Sequence, residues 1–298
     1  MNVCGRDIKV SGTFVRIARL DAEKYESLDD PETLLEGLRK SHDRVDIFTF
    51  MQIMPDTKPK FGYPMEWDNL AVIPVSTFEN WWNNQIRSFP RNRARQAEKK
   101  GVTLREIPFS EELVRGILEI YNETPVRQGR AFSHYGKDFK TVYSEEATYL
   151  DRSIFIGAFI GHQLIGFVKM VTDEGKNQAN LMNILSMIKH RDKAPTNALI
   201  AHSVRVCAER GIPNLVYQQF AYANKVSDTI ATFKEVNGFQ RVDLPRYYVP
   251  VSQFGWVALH LGLHHRLVDR IPTSIATKLR RLRHAWHSRK LESASEGS

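Results

Sequence analysis

Ile154-Phe-Ile-Gly-Ala-Phe-Ile160, a Gly161-His162-Gln163 turn and Leu164-Ile-Gly-Phe-Val-Lys-Met-Val171 decide the fold, because β-branched and aromatic runs flank a short glycine-led turn. They predict an antiparallel hairpin. A third strand is expected over 180–188, followed by the loop His190-Arg-Asp-Lys-Ala-Pro-Thr-Asn197. A helix over 198–210 then places Ile200, Val204 and Cys207 on one face and stops at Gly211. Leu215-Val-Tyr-Gln-Gln-Phe220 reads as the next strand. Ser227 can cap a further helix that closes on Phe233-Lys-Glu-Val-Asn-Gly-Phe239, with Gly238 as its end and a last strand beyond. The order is three strands, helix, strand, helix, strand.

Working towards the N-terminus, 102–108 reads as a strand, and Ser110-Glu-Glu heads a helix reaching Asn122, where the negative charge complements the helix dipole. A loop over 124–136 precedes a helical stretch over 139–150. Residues 1–101 read as a smaller α/β lobe. Asp30 caps a helix with Pro31 at its first position and Leu34, Leu35 and Leu38 as its buried stripe. Strands follow at 45–54 and 70–75. Ser76 and Glu79 form a capping-box pair at the head of a helix carrying Trp81 and Trp82, which Pro90 breaks. The domain reading is 1–101, an α/β lobe; 102–250, the core; and 251–298, a basic helical tail.

With 298 residues and 42% hydrophobic content the chain has ample material for a buried core. Cys4 and Cys207 make no metal or disulfide pattern, so no metal is expected. Met1–Ser11 lacks the apolar core of a secretory signal, and no run is long and apolar enough for a membrane span, which makes a cytoplasmic address the simplest reading. The formal charge of +8 is unevenly placed. One basic run spans Arg87 to Lys100. The tail sets eight Lys or Arg against Asp269, Glu292 and Glu296 and holds five of the ten histidines. In the tail Ile275, Leu279, Leu282 and Trp286 recur at helical spacing opposite Lys278, Arg280, Arg281 and Arg283, a pattern that suits the inner face of an anionic membrane or a helix packed on the core. The run at 87–100 suits a polyanion or a solvated helix face, and the lack of aromatic residues among its charges from Arg91 to Lys100 counts against nucleic-acid stacking.

The strand and helix order, the basic loop at the head of the first core helix and the Asn237-Gly-Phe239 close resemble the acyl-transferring core of the GNAT superfamily. Arg91-Asn-Arg-Ala-Arg-Gln-Ala-Glu-Lys-Lys-Gly-Val102 is similar to the basic helix-to-strand segment of its Fem-type branch, the peptidoglycan-bridge aminoacyltransferases and their bacterial relatives. The resemblance covers roughly 45–250. It implies a GNAT-like mixed central sheet flanked by helices, with a shortened N-terminal lobe, and an acyltransferase acting on a primary amine of a cell-envelope sugar or peptide precursor. Acyl-CoA is the favoured donor and aminoacyl-tRNA the second. The rival reading is a binding module that keeps this fold without the chemistry.

Acyl transfer needs an anion site for the donor and a group that stabilises the carbonyl oxygen. Unpaired amides at a helix N-terminus supply the first. The resemblance implies donor contacts from Met187, Ile188, Arg191, Lys193, Ala194, Thr196, Asn197, Asn224 and Phe233. Acceptor contacts are implied for Arg127, Gln128, His134, Tyr135 and Tyr217. The loop departs from the superfamily pattern: Ala194, Pro195 and Thr196 stand where glycines are usual, and Pro195 has no N–H. Where many relatives carry a tyrosine acid, this chain has Phe233 and Lys234, so no catalytic residue is assigned.

Overall fold

The computed structural model describes residues 1–127, 129–220 and 229–265. The N-terminal part supplies β1 (Asn2–Val3), β2 (Arg6–Ser11), β3 (Ile17–Leu20), α1 (Pro31–Lys40), β4 (Ile47–Met51) and β5 (Met65–Pro74). Asp30 caps α1 by accepting from the Thr33 amide, with Pro31 in the first turn and Leu34, Leu35 and Leu38 buried, as their spacing predicts. A short α2 (Phe78–Asn80) runs into a π-helical turn, Trp81–Gln85. Its cap is Thr77 rather than Ser76. The Thr77 hydroxyl takes the Asn80 amide, while Ser76 accepts from the Asn80 side chain. The helix breaks at Ile86, before Pro90, which sits in the first turn of α3 (Ser88–Lys99).

The remainder follows as β6 (Thr103–Ile107), α4 (Glu111–Tyr121), a small hairpin of β7 (Val126–Arg127) and β8 (Arg130–Ala131), and α5 (Phe139–Glu146). The predicted hairpin is β9 (Ser153–Ile160) and β10 (Gln163–Thr172). Its turn uses Gly161 at a φ of 57°, a conformation glycine adopts without strain. Then come β11 (Ala179–Ser186), α6 (Pro195–Glu209), β12 (Asn214–Val216), α7 (Thr229–Val236), β13 (Gln240–Pro250) and α8 (Gln253–His260).

Among the described residues eleven strands form one sheet, in the order β1-β2-β3-β4-β13-β5-β12-β11-β10-β9-β6. The ladders β3–β4 and β11–β12 are parallel and the others antiparallel. β13 lies between β4 and β5, pairing with both, so the last described strand joins the early strands to the rest of the sheet. α3 and α6 cover one face of the core strands, with Trp81, Leu199, Val204 and Ile156 in a shared apolar cluster. α4 and α5 cover the other, through Ile117, Val142 and Phe167. The fold is α/β with a mixed central sheet flanked by helices. Among the described residues no helix is long and apolar enough to cross a membrane. The predicted amphipathic stretch at 275–286 lies outside the described residues.

α8 is held against the sheet by one buried carboxylate. Asp46 accepts from the Arg16 amide at 2.8 Å, from Arg44 and from the Ser252 hydroxyl. Its carbonyl accepts from Val251 and Ser252. Burial works against the charge of Asp46, but these donors prevail and hold its pKa below the usual carboxylate range. Gly255 lies so close that a Cβ there would stand 1.8 Å from the Asp46 carbonyl oxygen. Gly255→Ala should therefore lift α8 off the sheet and lower stability by about 2–3 kcal/mol in urea unfolding, the scale of an overpacked backbone contact.

Candidate functional site

β11 and β12 pair only at Ala179–Leu215 and Asn180–Val216. Beyond that point β12 ends. The chain stays with β5 as Tyr217 donates to the Ala71 carbonyl and Gln218 accepts from the Ala71 amide, while β11 continues beside β10 as far as Ser186. Two neighbouring parallel strands thus part, leaving the β11 edge over 181–186 without a strand partner among the described residues. An unpaired strand edge is a row of donors and acceptors in wait of an extended ligand.

The expected strand over 180–188 stops at Ser186 because Glu123 draws the chain away. Its carboxylate accepts from the Ile188 amide at 2.7 Å and the Lys189 amide at 2.9 Å, starting a 3₁₀ helix over Ile188–Lys193. Met187 is buried and its amide is bonded to Ile165, so the amides of Met187 and Ile188 are both occupied. Ala194 takes a left-handed conformation, with φ 54°, and α6 begins at Pro195, three residues earlier than its apolar pattern suggests. The amides of Thr196 and Asn197 lie in its first turn, where no intrahelical acceptor exists. Ser186 and Thr196 share a hydroxyl hydrogen bond of 2.8 Å that ties the end of β11 to this helix start.

The basic helix α3 packs against the same loop. Arg93 donates to the Arg191 carbonyl at 2.8 Å, and Lys100 reaches both the carbonyl and the carboxylate of Asp192, at 3.1 and 3.0 Å. Positive groups from two distant stretches therefore gather with Arg191, Lys193 and Lys189 around the start of α6. Both ring nitrogens of His190 are shielded from solvent and find no hydrogen-bond partner among the described residues. Burial, with Lys193 and Lys189 nearby, lowers the His190 pKa and favours the neutral ring.

At the parting of the strands stands Lys234 of α7, 1% exposed. Its ammonium donates to the Gln219 carbonyl and lies 4.9 Å over the Tyr217 ring. The Gln219 side chain donates to Asp68 at 3.0 Å, Asp68 accepts from Arg246 at 3.0 Å, and Arg246 also reaches Glu23 at 3.0 Å. Burial opposes the charge on Arg246, but Glu23 and Asp68 outweigh it and hold its pKa raised. A chain of polar groups thus runs from the N-terminal part to Lys234. Phe233 packs on the core cluster, half-buried with Tyr217. Asn224 and Ser227 lie outside the described residues, as does Gln128.

The loop expected to meet the acceptor is largely engaged with the body. Arg127 donates to the Ser186 carbonyl and the Ile120 carbonyl, each at 2.8 Å, and pairs with Glu123 at 3.2 Å. His134 lies against Tyr121, with ring centroids 4.4 Å apart, and burial with Lys137 nearby lowers its pKa. Tyr135 is exposed. Beneath this loop is a network that no local pattern signals. Lys169, in the middle of β10, donates to the carbonyls of Glu146 and Thr148 at 2.8 Å and to the Thr148 hydroxyl at 3.0 Å, capping the end of α5. The Glu146 carboxylate accepts from Tyr121 and from Asn183 of β11, both at 2.9 Å. Burial lowers Lys169 to about 8, opposed by Glu146, and raises Glu146. The signal available in sequence was Lys169 itself, a lysine inside an otherwise apolar strand. A hollow of about 440 Å³ bounded by Met1, Val3, Gly37 and His42 lies at the β1 edge, remote from this cleft.

The mixed central sheet flanked by helices matches the GNAT-like architecture expected from the sequence. The sequence matches no protein-family model and no curated protein. Among solved structures, L-PGS from Bacillus licheniformis is similar at 15% identity over 85% of this chain and 84% of that one, with a TM-score of 0.57. FemX is similar at 10% identity over 80% and 83%, with a TM-score of 0.56. The C-terminal DUF2156 domain of an assigned lysylphosphatidylglycerol synthetase from Agrobacterium fabrum is similar at 13% identity over 85% and 83%, with a TM-score of 0.55. At these identities the likeness is one of fold, a GNAT-like mixed sheet flanked by helices.

Glu123 holds the turn between β11 and α6 through the exposed amides of Ile188 and Lys189 and through a largely buried ion pair with Arg127. Glu123→Ala should lower stability by about 2 kcal/mol, chiefly because it leaves the largely buried Arg127 charge without its carboxylate. Chemical unfolding checks the loss, and amide hydrogen exchange at Ile188 and Lys189 should accelerate with it.

Proposed function

We propose that the protein is a transferase that moves an acyl or aminoacyl group from a phosphate-bearing carrier to a primary amine of a cell-envelope sugar or peptide precursor. The observation that carries this reading is the parting of β11 and β12, with an unpaired strand edge, helix-start amides and basic side chains along one opening. Acyl-CoA is the first donor: its extended arm suits the edge over 181–186, and its phosphates suit Thr196, Asn197, Arg191 and Lys193. The orphan ring nitrogens of His190 favour a polar ligand beside them. The missing glycines move the burden of anion binding from backbone to side-chain charge.

Aminoacyl-tRNA is the second donor, favoured by the basic face of α3 against the loop and by the fold shared with L-PGS and FemX over most of the chain. In either case the neutral amine of the acceptor attacks the carbonyl carbon, a C–N bond forms as the C–S or C–O bond to the donor breaks, and the proton lost by the nitrogen goes to the departing thiolate or ribose oxygen. Phe233 and Lys234 lie near the helix position where the resemblance places a tyrosine. The buried Lys234 ammonium would offset the charge that develops on the carbonyl oxygen or leaving group. In this reading 102–250 is the transferring core, 1–101 contributes β5 and the basic α3 beside the donor loop, and the loop bearing Arg127, His134 and Tyr135 borders the acceptor. Contact with an anionic membrane surface belongs to the tail, outside the described residues.

Purified protein should transfer a radiolabelled group from an acyl-CoA, or failing that from charged tRNA, to an amine acceptor. Binding of neither donor at micromolar protein would overturn the reading. Replacing Arg191 and Lys193 with Ala should raise the acyl-CoA Kd about tenfold and flatten its salt dependence, as two partly exposed charges contribute about 1.4 kcal/mol together. Lys234→Met should cut kcat by about 10²–10³ with donor Kd unchanged. Equal loss of kcat and of the folded state, seen by circular dichroism, would reduce Lys234 to a structural role.

A further inference from the structure

The end of α8 and the start of β5 bring together three groups that are far apart in sequence: Glu66, His264 and His265. The Nε2 atoms of both histidines lie 3.1 Å from the same Glu66 oxygen, and the three potential ligand atoms all fall within 4.8 Å of one another. We propose that these residues form a binding site for one first-row transition ion of borderline softness, with Zn²⁺ as the best match.

The spacing supports an ion. Ligands at about 2.0–2.1 Å from a tetrahedral zinc stand about 3.3–3.4 Å apart, so each 3.1 Å histidine–Glu66 distance is within a few tenths of an ångström of what the metal needs, and the two histidine nitrogens lie within 4.8 Å of each other. The donor set is two imidazoles and a carboxylate, which suits Zn²⁺, Ni²⁺ or Cu²⁺ and disfavours Mg²⁺ and Ca²⁺, whose sites are built from oxygen. The ligands are also held in place. The His264 side chain is only 5% exposed and its ring packs 4.6 Å from that of Tyr248. The turn before it is fixed by the Leu263 amide on Ala258 and by Gly262 at positive φ. Glu66 sits in the β5–β13 ladder opposite Arg246. The outer side is open: Glu66 and His265 are 44% and 39% exposed, leaving an entry path and a position for water.

Such an ion would tie α8 to β5. The separation of 198 positions from Glu66 to His264 explains why the sequence shows no metal motif there. The site lies on the sheet, apart from the proposed donor cleft, and does not rest on the transferase reading.

Full-length, tag-free protein should be titrated with Zn²⁺ by calorimetry and with Co²⁺ by visible absorption, alongside Glu66→Gln and His265→Ala. Both substitutions are at exposed side chains and should leave the fold intact. The expected result is one equivalent of Zn²⁺ bound by the wild type, a tetrahedral Co²⁺ spectrum, and an affinity at least about tenfold lower in each variant. Zn²⁺ should raise Tm in the wild type and not in the variants. Equal binding by all three proteins would assign the metal to other histidines, and absence of stoichiometric binding by the wild type would remove the site; either outcome overturns the proposal.

Discussion

The backbone ladder of β13 is the constraint from which the rest follows. Its residues from Gln240 to Tyr247 pair with β5, and those from Arg246 to Pro250 pair with β4, so one strand satisfies neighbours on both edges. Buried backbone donors and acceptors must be paired, and a central strand that meets this demand on two sides cannot slip without exposing both ladders. β13 also sets where its flanking elements act. α7 enters it through Gly238, and α8 leaves it beside Asp46. Arg246, carried on β13, joins Glu23 and Asp68, so the placement of Gln219 depends on the same strand.

Charge inside this protein is arranged in two ways with different consequences. Arg246 has two carboxylates and stays strongly charged, which makes it a fixed post. Lys169 has carbonyl and hydroxyl acceptors and, among the described residues, no carboxylate at ion-pair distance, so burial outweighs the nearby Glu146 and lowers the lysine pKa to about 8, while Glu146 is raised. Removing one member of such a buried set leaves the others without partners, which is costlier than never having buried them. Both sets lie where elements distant in sequence meet, and each links a strand of the sheet to a segment packed over it.

The opening between β11 and β12 arises from competition for the chain. Glu123 and Arg127 hold the end of β11 and the turn after it against α4, while β5 holds Tyr217 and Gln218. Each strand is kept by a neighbour on its far side, and the gap between them is what those attachments leave. That arrangement also explains why Arg127, expected as an acceptor contact, is spent on the framework. Its guanidinium bonds are the means by which the opening is kept.

The sequence by itself determined the elements whose causes are local. The β9–β10 hairpin follows from apolar runs about Gly161. α1 follows from Asp30-Pro31 and its leucine stripe, α4 from the Ser110 cap and its acidic first turn, and α6 from its apolar face and Gly211. Each of these signals acts within a few residues, so a single chain displays it. The fold class was legible for the same reason, through the order of elements. Only the tertiary structure decided that β13 lies between β4 and β5, that β11 stops at Ser186, and that Lys169 meets Glu146. It also decided that Lys234 reaches Gln219 and that Glu66 meets His264 and His265. These depend on which distant segments share an edge or a face, a choice made by burial and backbone pairing over the whole sheet, which leaves no periodic trace along the sequence.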